Sequence, residues 1–353
     1  MAKTKVGILF GGRSGEHEVS VVSAQGVLMA IDTERYEPVP LAITRDGIWL
    51  TPEESREALR QLAPGRYLQV PQLSDTPPLR RPEVMAALAE LDIAFPLIHG
   101  PYGEDGSLQG LLQVLGVPYV GAGVAASAVG LDKELQKAIW RQASLPVVPH
   151  VTIRRLDWER DAERVQRKIE TCLAYPAFVK PANGGSSVGI TRLRSREDLA
   201  EGMALALDYG GKALVEKAMV AHEVECAVLG NDAPEASPLG EIIPHREFYD
   251  YEAKYLDDGT EYAIPPRIPA EWHEPIREMA IAAYRAIGCE GMARVDFFVE
   301  DNGTIYLNEI NTIPGFTPIS MYPRLWESAG LTYTELIGRL IELGLERFQK
   351  AQK

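Results

Sequence analysis

For the first third of the chain, short apolar runs alternate with stretches of helical spacing. Residues 5–10 (Lys5-Val6-Gly7-Ile8-Leu9-Phe10) make an apolar run of strand length, Gly11-Gly12-Arg13-Ser14-Gly15 is a turn, and Val19–Ile31 repeats its apolar positions as a helix does. Val39–Ile43 reads as the next strand, and Asp46-Gly47 turns the chain into Ile48-Trp49-Leu50. The Pro- and Arg-rich stretch 61–82 reads as a surface excursion. A helix over 83–91 then feeds a strand at 93–98, followed by a helix at 107–115. Strands alternating with helices predict a doubly wound parallel sheet to about residue 130.

From Lys133 the pattern changes. A helix over 132–143 is followed by breaks at Pro146 and Pro149 and a strand at 150–154. Helix 157–173, strand 177–180, a Gly/Ser loop, strand 188–192, helix 196–207 and strand 213–216 predict a compact α+β unit. Further strands are expected at 224–229, 241–243, 293–299 and 306–311, and a helix at 332–349. The segment 245–266, rich in Tyr and acidic residues, has little regular period, as lids and binding loops do. The expected class is α/β: an N-terminal domain over 1–130, a central lobe over 131–223 and a C-terminal lobe over 224–353.

Charge and composition narrow the function. Fifty acidic against thirty-six basic residues give a net charge of -14, with no basic run to hold a duplex, so no nucleic-acid partner is expected. No apolar run approaches the ~18–20 residues of a membrane span, and the start of the chain lacks a signal-peptide core and cleavage site. Cys172, Cys226 and Cys289 are far apart and form no CxxC pair, which fits a reducing cytoplasm and neither a disulfide framework nor a zinc site.

Three constellations carry candidate chemistry. The first glycine turn matches neither G-x-G-x-x-G nor a P-loop. It is open to two readings: a tight turn with a solvated Glu16, or a ligand turn whose acid grips an ammonium. Phe178-Val179-Lys180-Pro181-Ala182-Asn183-Gly184-Gly185-Ser186-Ser187-Val188-Gly189 puts a lysine at the end of a strand before a flexible Gly/Ser loop. That is either a hairpin with a mobile tip or an anion cradle, with Lys as the point charge. In Ala293–Val299 and Tyr306–Asn311, Arg294 shares a face with Asp296, and Glu309 with Asn311. Asp301-Asn302-Gly303 between them predicts an antiparallel pair. The converging oxygens form either a face of mutual salt bridges or a Mg²⁺ site completed by phosphate.

Lys133, the Lys180 loop, Val215-Glu216-Lys217-Ala218-Met219 and the Asp296/Glu309/Asn311 set, in this order, resemble the ATP-grasp ligases. The likeness narrows to the longer bacterial subfamily of D-alanine–D-alanine ligases through residues 11–20 (GGRSGEHEVS), 99–110 (HGPYGEDGSLQG), 248–255 (FYDYEAKY) and 311–321 (NTIPGFTPISM), and it runs almost end to end.

That resemblance implies a two-lobed ATP-grasp fold behind the N-terminal domain. It also implies an enzyme that joins two D-alanines with ATP through an acyl phosphate, for peptidoglycan synthesis. It assigns Lys133, Lys180, Ser186 and Ser187 to the ATP phosphates, Glu216, Lys217 and Met219 to the adenine slot, and Glu223 to the ribose. Lys254 would reach the γ-phosphate, and Asp296, Glu309 and Asn311 would hold two Mg²⁺ (or Mn²⁺) ions. Glu16 and His99 would bind the first D-alanine, Ser320 and Met321 the second, and Arg294 with a backbone N–H near Gly315 the oxyanion. Glu16, Ser186 and Tyr255 would form a hydrogen-bonded triad under the 245–266 lid. A homodimer in the cytoplasm is implied. Pro318-Ile319 follows the longer subfamily's wording, and Tyr255 fits amide rather than ester formation. No phosphate lysine or metal ligand is missing, which weighs against a catalytically silent nucleotide-binding scaffold.

Overall fold

The computed structural model describes residues 2–61, 81–185, 188–243 and 261–351. It is built on three sheets. The first has β1 (Thr4–Gly11), β2 (Tyr36–Ile43) and β3 (Ile93–Pro96) in the order β2-β1-β3, all parallel. Both faces of β1 are covered, which is why it reads as an unbroken apolar run: Val6, Ile8, Leu9 and Phe10 are fully buried. Helices α1 (His17–Ala30), α2 (Pro52–Arg60), α3 (Pro82–Ala89) and α4 (Ser107–Val114) join and flank these strands. The sequence reading omits α2 because PEESREALR has little apolar content. Its start is nonetheless written in a capping box, with Thr51 and Glu54 each closing on the other's backbone. Most of the excursion read at 61–82 lies outside the described residues.

Two helices lead out of this sheet, α5 (Val124–Leu131) and α6 (Lys133–Gln142), joined at Asp132, whose carboxylate caps α6 through the N–H groups of Glu134 and Leu135. The second sheet follows: β4 (His150–Arg154), β5 (Ala177–Pro181), β6 (Thr191–Leu193) and β7 (Lys212–Lys217), antiparallel in the order β4-β7-β5-β6. The helix expected over 157–173 is two, α7 (Arg155–Arg160) and α8 (Ala162–Cys172). Asp161 leaves helical geometry at φ -158° and ψ 78°, and its side chain starts the second helix by accepting from Arg164 N. With α9 (Leu199–Asp208) these helices bury Val151, Val165, Ile169, Val179, Met203 and Val215.

The third sheet is antiparallel and five-stranded, β10-β9-β8-β11-β12, from β8 (His222–Gly230), β9 (Glu235–Ile243), β10 (Glu261–Ala263), β11 (Gly291–Val299) and β12 (Ile305–Asn311). Of the segment expected to be a lid, 245–260 lies outside the described residues, while 261–263 is β10. One face of the sheet packs on α10 (His273–Ala286) and on α6, whose Trp140 Nε1 donates to Ala283 O at 3.0 Å. The other face packs on α11 (Met321–Ser328) and α12 (Tyr333–Ala351). Leu336, Ile337, Leu340 and Ile341 of α12 are fully buried in a core that also holds Val6, Ile8 and Phe10 of the first sheet. No described helix is long and apolar enough to cross a membrane.

Candidate functional site

At the first turn the backbone demands glycine. Gly11 and Gly12 have φ +91° and +93°, in the left-handed region where a side chain is strained. Ser20 then locks the turn, accepting from Gly11 N at 2.8 Å and donating to Leu97 O at 2.6 Å, which joins the ends of β1 and β3. The result presents Glu16 to two other loops. A methyl group added at Gly185, in the β5–β6 loop, would stand 3.3 Å from Glu16 Oε2, and one added at Gly100 would stand 3.6 Å from it.

Beside Glu16 lies a buried clamp on the backbone N–H and C=O of one residue, Ile313. His99 Nδ1 is 2.9 Å from Ile313 O, and Ile313 N donates to Glu104 Oε1 at 3.2 Å. A carbonyl can only accept, so Nδ1 carries the proton and Nε2 is a buried lone pair with no partner among the described residues. Burial holds the imidazole below its usual pKa, so the ring is neutral. Glu104 also accepts from Gly100 N at 2.7 Å. Burial first, and the charge of Glu16 second, push its carboxyl up to about 8.

The lysines converge from α6 and β5. Lys133 Nζ is 3.0 Å from Glu309 Oε2 and donates to Gly184 O at 2.7 Å. Lys180 Nζ is 2.6 Å from Glu216 Oε2 and 3.5 Å from Asn308 Oδ1. Lys137 reaches the other Glu216 oxygen at 3.2 Å and the Asn308 carbonyl at 2.7 Å. Burial would raise the Glu216 carboxyl, but the two ammonium groups outweigh it and keep it ionised.

The β11–β12 pair sets the acidic side. Arg294 lies opposite Asn311, and Asp296 opposite Glu309. The register slips after Asp296, leaving Asn308 as the extra residue of a β-bulge. Arg294 is partly buried and grips Asp296 with two hydrogen bonds of 2.7 Å. Its Nε also lies 3.1 Å from Glu225 Oε2, and Asn311 Nδ2 donates to Asp296 at 3.0 Å. The face is a set of mutual salt bridges and hydrogen bonds among Arg294, Asp296, Glu225 and Asn311.

After β12 the chain runs past Gly315 to Ser320, whose hydroxyl accepts from Thr317 N at 3.1 Å and pairs with Thr317 Oγ1 at 2.7 Å. Met321 sends its thioether into the core against Gly240. Lys217 is exposed and 3.9 Å from Glu300, beyond the buried cluster, while Met219 lies in the β7–β8 connection and Glu223 on β8. Ser186, Ser187, Lys254 and Tyr255 lie outside the described residues.

Lys137, Glu104, Glu225 and Asn308 are the functional candidates that the sequence reading missed. Lys137 had a signal: it stands one helical turn after Lys133 and shares the inner face of α6 with Gln136 and Trp140.

Comparison with known proteins gives consistent matches along the chain. A family model described as D-ala D-ala ligase N-terminus matches residues 5–122, and one described as D-ala D-ala ligase C-terminus matches residues 139–342. The D-alanine--D-alanine ligase of Geobacillus thermodenitrificans is 46% identical over 357 residues, covering 99% of this chain and 98% of that protein. That of Chlorobium luteolum is 48% identical over 356 residues, covering 98% of each. Among solved structures, the D-alanine-D-alanine ligase from Coxiella burnetii superposes with a TM-score of 0.82 at 35% identity, covering 100% of this chain and 97% of that one. The VanG D-Ala:D-Ser ligase from Enterococcus faecalis also gives 0.82, at 33% identity, covering 97% and 100%.

Proposed function

The chain belongs to the D-alanine–D-alanine ligase family, and we propose that the cleft between its second and third sheets is where that family's reaction runs. The enzyme joins two D-alanine molecules into D-alanyl-D-alanine with ATP as co-substrate, for peptidoglycan synthesis. The observation that carries the site assignment is the meeting of Lys133 and Lys180 with Glu309 and Asn308 across the two sheets.

In this reading Lys133 and Lys180 take the β- and γ-phosphates, leaving Glu309 and Glu216 as the nucleotide enters. Backbone groups near Glu216, Lys217 and Met219 hold the adenine, and Glu223 the ribose. The first D-alanine is anchored by its ammonium, to the Glu16 carboxylate and to the His99 Nε2 lone pair, and its carboxylate attacks the γ-phosphorus to give an acyl phosphate and ADP. The amine of the second D-alanine, positioned by Ser320 and the Met321 backbone, attacks the acyl carbon and sheds a proton as phosphate leaves. Arg294 and the backbone N–H near Gly315 stabilise the oxyanion in between. Ser186, Ser187, Lys254 and Tyr255 are assigned here by family likeness alone, as the phosphate loop, the γ-phosphate lysine and the triad with Glu16 that excludes water.

The donor set suits Mg²⁺ or Mn²⁺. Among the described residues no three His, Cys, Asp or Glu side chains group into a metal site, and Asp296, Glu309 and Asn311 supply two carboxylates and an amide oxygen. Mg²⁺ commonly takes one or two carboxylates and completes its shell with water and substrate phosphates. Bound there, the ions would neutralise phosphoryl charge.

We further assign residues 1–130, 131–223 and 224–353 as three domains, a homodimer as the assembly and the cytoplasm as the location. Amide formation with a second D-alanine is favoured over D-serine; the neighbour named a D-Ala:D-Ser ligase makes D-serine the competitor to test. With ATP, Mg²⁺ and D-alanine, one ADP and one phosphate should appear per dipeptide. No D-alanine-dependent ADP release sinks the reading, and faster turnover with D-serine as second substrate redirects it.

A further inference from the structure

Lys137 sits one turn beyond Lys133 on α6, fully buried, and has no part in the reaction as set out above. Its ammonium has partners on two different sheets: Glu216 Oε1 at 3.2 Å on β7 and the Asn308 carbonyl at 2.7 Å on β12. Glu216 is at the same time 2.6 Å from Lys180, so one buried carboxylate serves two lysines. From these contacts we propose that Lys137 is a positioning residue for ATP. It keeps Glu216 satisfied when Lys180 turns to a phosphate, and it pins the bulge that sets the direction of Glu309. The inference rests on the phosphate and metal roles proposed above.

The electrostatic half of the argument concerns what Lys180 leaves behind. A buried carboxylate stripped of its cation is strongly disfavoured. Were Lys180 the sole partner, Glu216 would hold that lysine back from any incoming anion. With Lys137 in place one positive charge stays on Glu216 while the other is available to the ligand. The geometric half concerns β12, the outer strand of its sheet. At the bulge, Asn308 O and Ile310 N find their partners on α6. Lys137 takes the first, and the Gln136 side-chain oxygen takes the second at 3.0 Å. Glu309 lies between these two anchors. One helix thereby couples a lysine of the second sheet to a carboxylate of the third.

Steady-state kinetics on three variants test this. Lys137→Met removes the charge at similar size and should raise the KM for ATP by roughly tenfold or more, while the KM for D-alanine stays within about twofold. Lys137→Arg should keep the ATP KM near the wild-type value. Combining Lys137→Met with Glu216→Gln should recover most of the lost ATP affinity, because the carboxylate that traps Lys180 is gone. A merely structural lysine predicts instead that the two losses multiply. An ATP KM indifferent to Lys137→Met, or a double variant worse than the single one, overturns the proposal. If Lys137→Met shows no folded melting transition, the charge-balanced double variant and Lys137→Arg decide, and failure of both to bind ATP overturns it. Wild-type turnover separates the two levels. Without D-alanine-dependent ADP release both readings fall; with normal release and no effect of Lys137, this one alone does.

Discussion

Glu104 shows how a single buried acid can record its surroundings. Its two backbone donors hold it in place, but burial and the neighbouring Glu16 raise its pKa from 4.5 to about 8. An acid with a raised folded pKa contributes stability that is complete below its unfolded value and is lost as pH rises through the folded value. Wild-type melting temperature should therefore fall relative to Glu104→Gln between about pH 4.5 and about pH 8 and level off above it; a difference that does not change across that window contradicts the assignment. Lys180→Ala should abolish ADP release with little change in melting temperature, because the remaining Lys137–Glu216 pair keeps the carboxylate compensated. Lys180 was legible because it ends a strand before a Gly/Ser loop, and Arg294 and Asp296 because they alternate on one face of an apolar strand; Lys133 was read through the family resemblance alone. Glu216 was legible only as an adenine-slot residue acting through its backbone; its carboxylate under Lys180 was not. Lys137 and Glu104 were hidden for a general reason: a charged residue within a polar stretch looks solvated until tertiary contact buries it.

At the scale of elements, strands were read more surely than helices. β1, β5, β8 and β11 bury most of their length and announce themselves as apolar runs. α2 is mostly polar, with only Ala58 and Leu59 reaching the core, α10 carries a proline in its first turn, and α11 is eight residues with a proline inside. α2 is started by its capping box, whereas α10 and α11 have no side-chain cap and rest on packing. The β11–β12 hairpin was expected as an antiparallel pair, and its bulge at Asn308 shows only in the register, which slips between Asp296 and Phe297. α6 is the element on which both sides of the cleft lean. Trp140→Ala, which empties its buried anchor on α10, should cost about 3–5 kcal/mol and be read as a lower denaturant midpoint; a loss under about 1 kcal/mol would mean α6 is held mainly by its polar contacts.

The whole molecule is closed by α12. Its buried leucines and isoleucines touch the third sheet on one side and the first sheet on the other, and Arg35–Glu342 and Thr334–Ala30 contacts fasten it to the N-terminal elements. Leu340→Ala should destabilise by about 2–5 kcal/mol, and amide hydrogen exchange should then speed up in β1 as well as in β8. Protection lost in only one of the two would show that the sheets open independently.

The same helix imposes an order on biosynthesis. β1 (Thr4–Gly11) leaves the ribosome long before the side chains of α12 (Tyr333–Ala351) that complete the core around it. Until then one flank of the leading sheet has only provisional cover, so a nascent chain paused before residue 333 should be a preferred client of chaperones that bind exposed aliphatic surface.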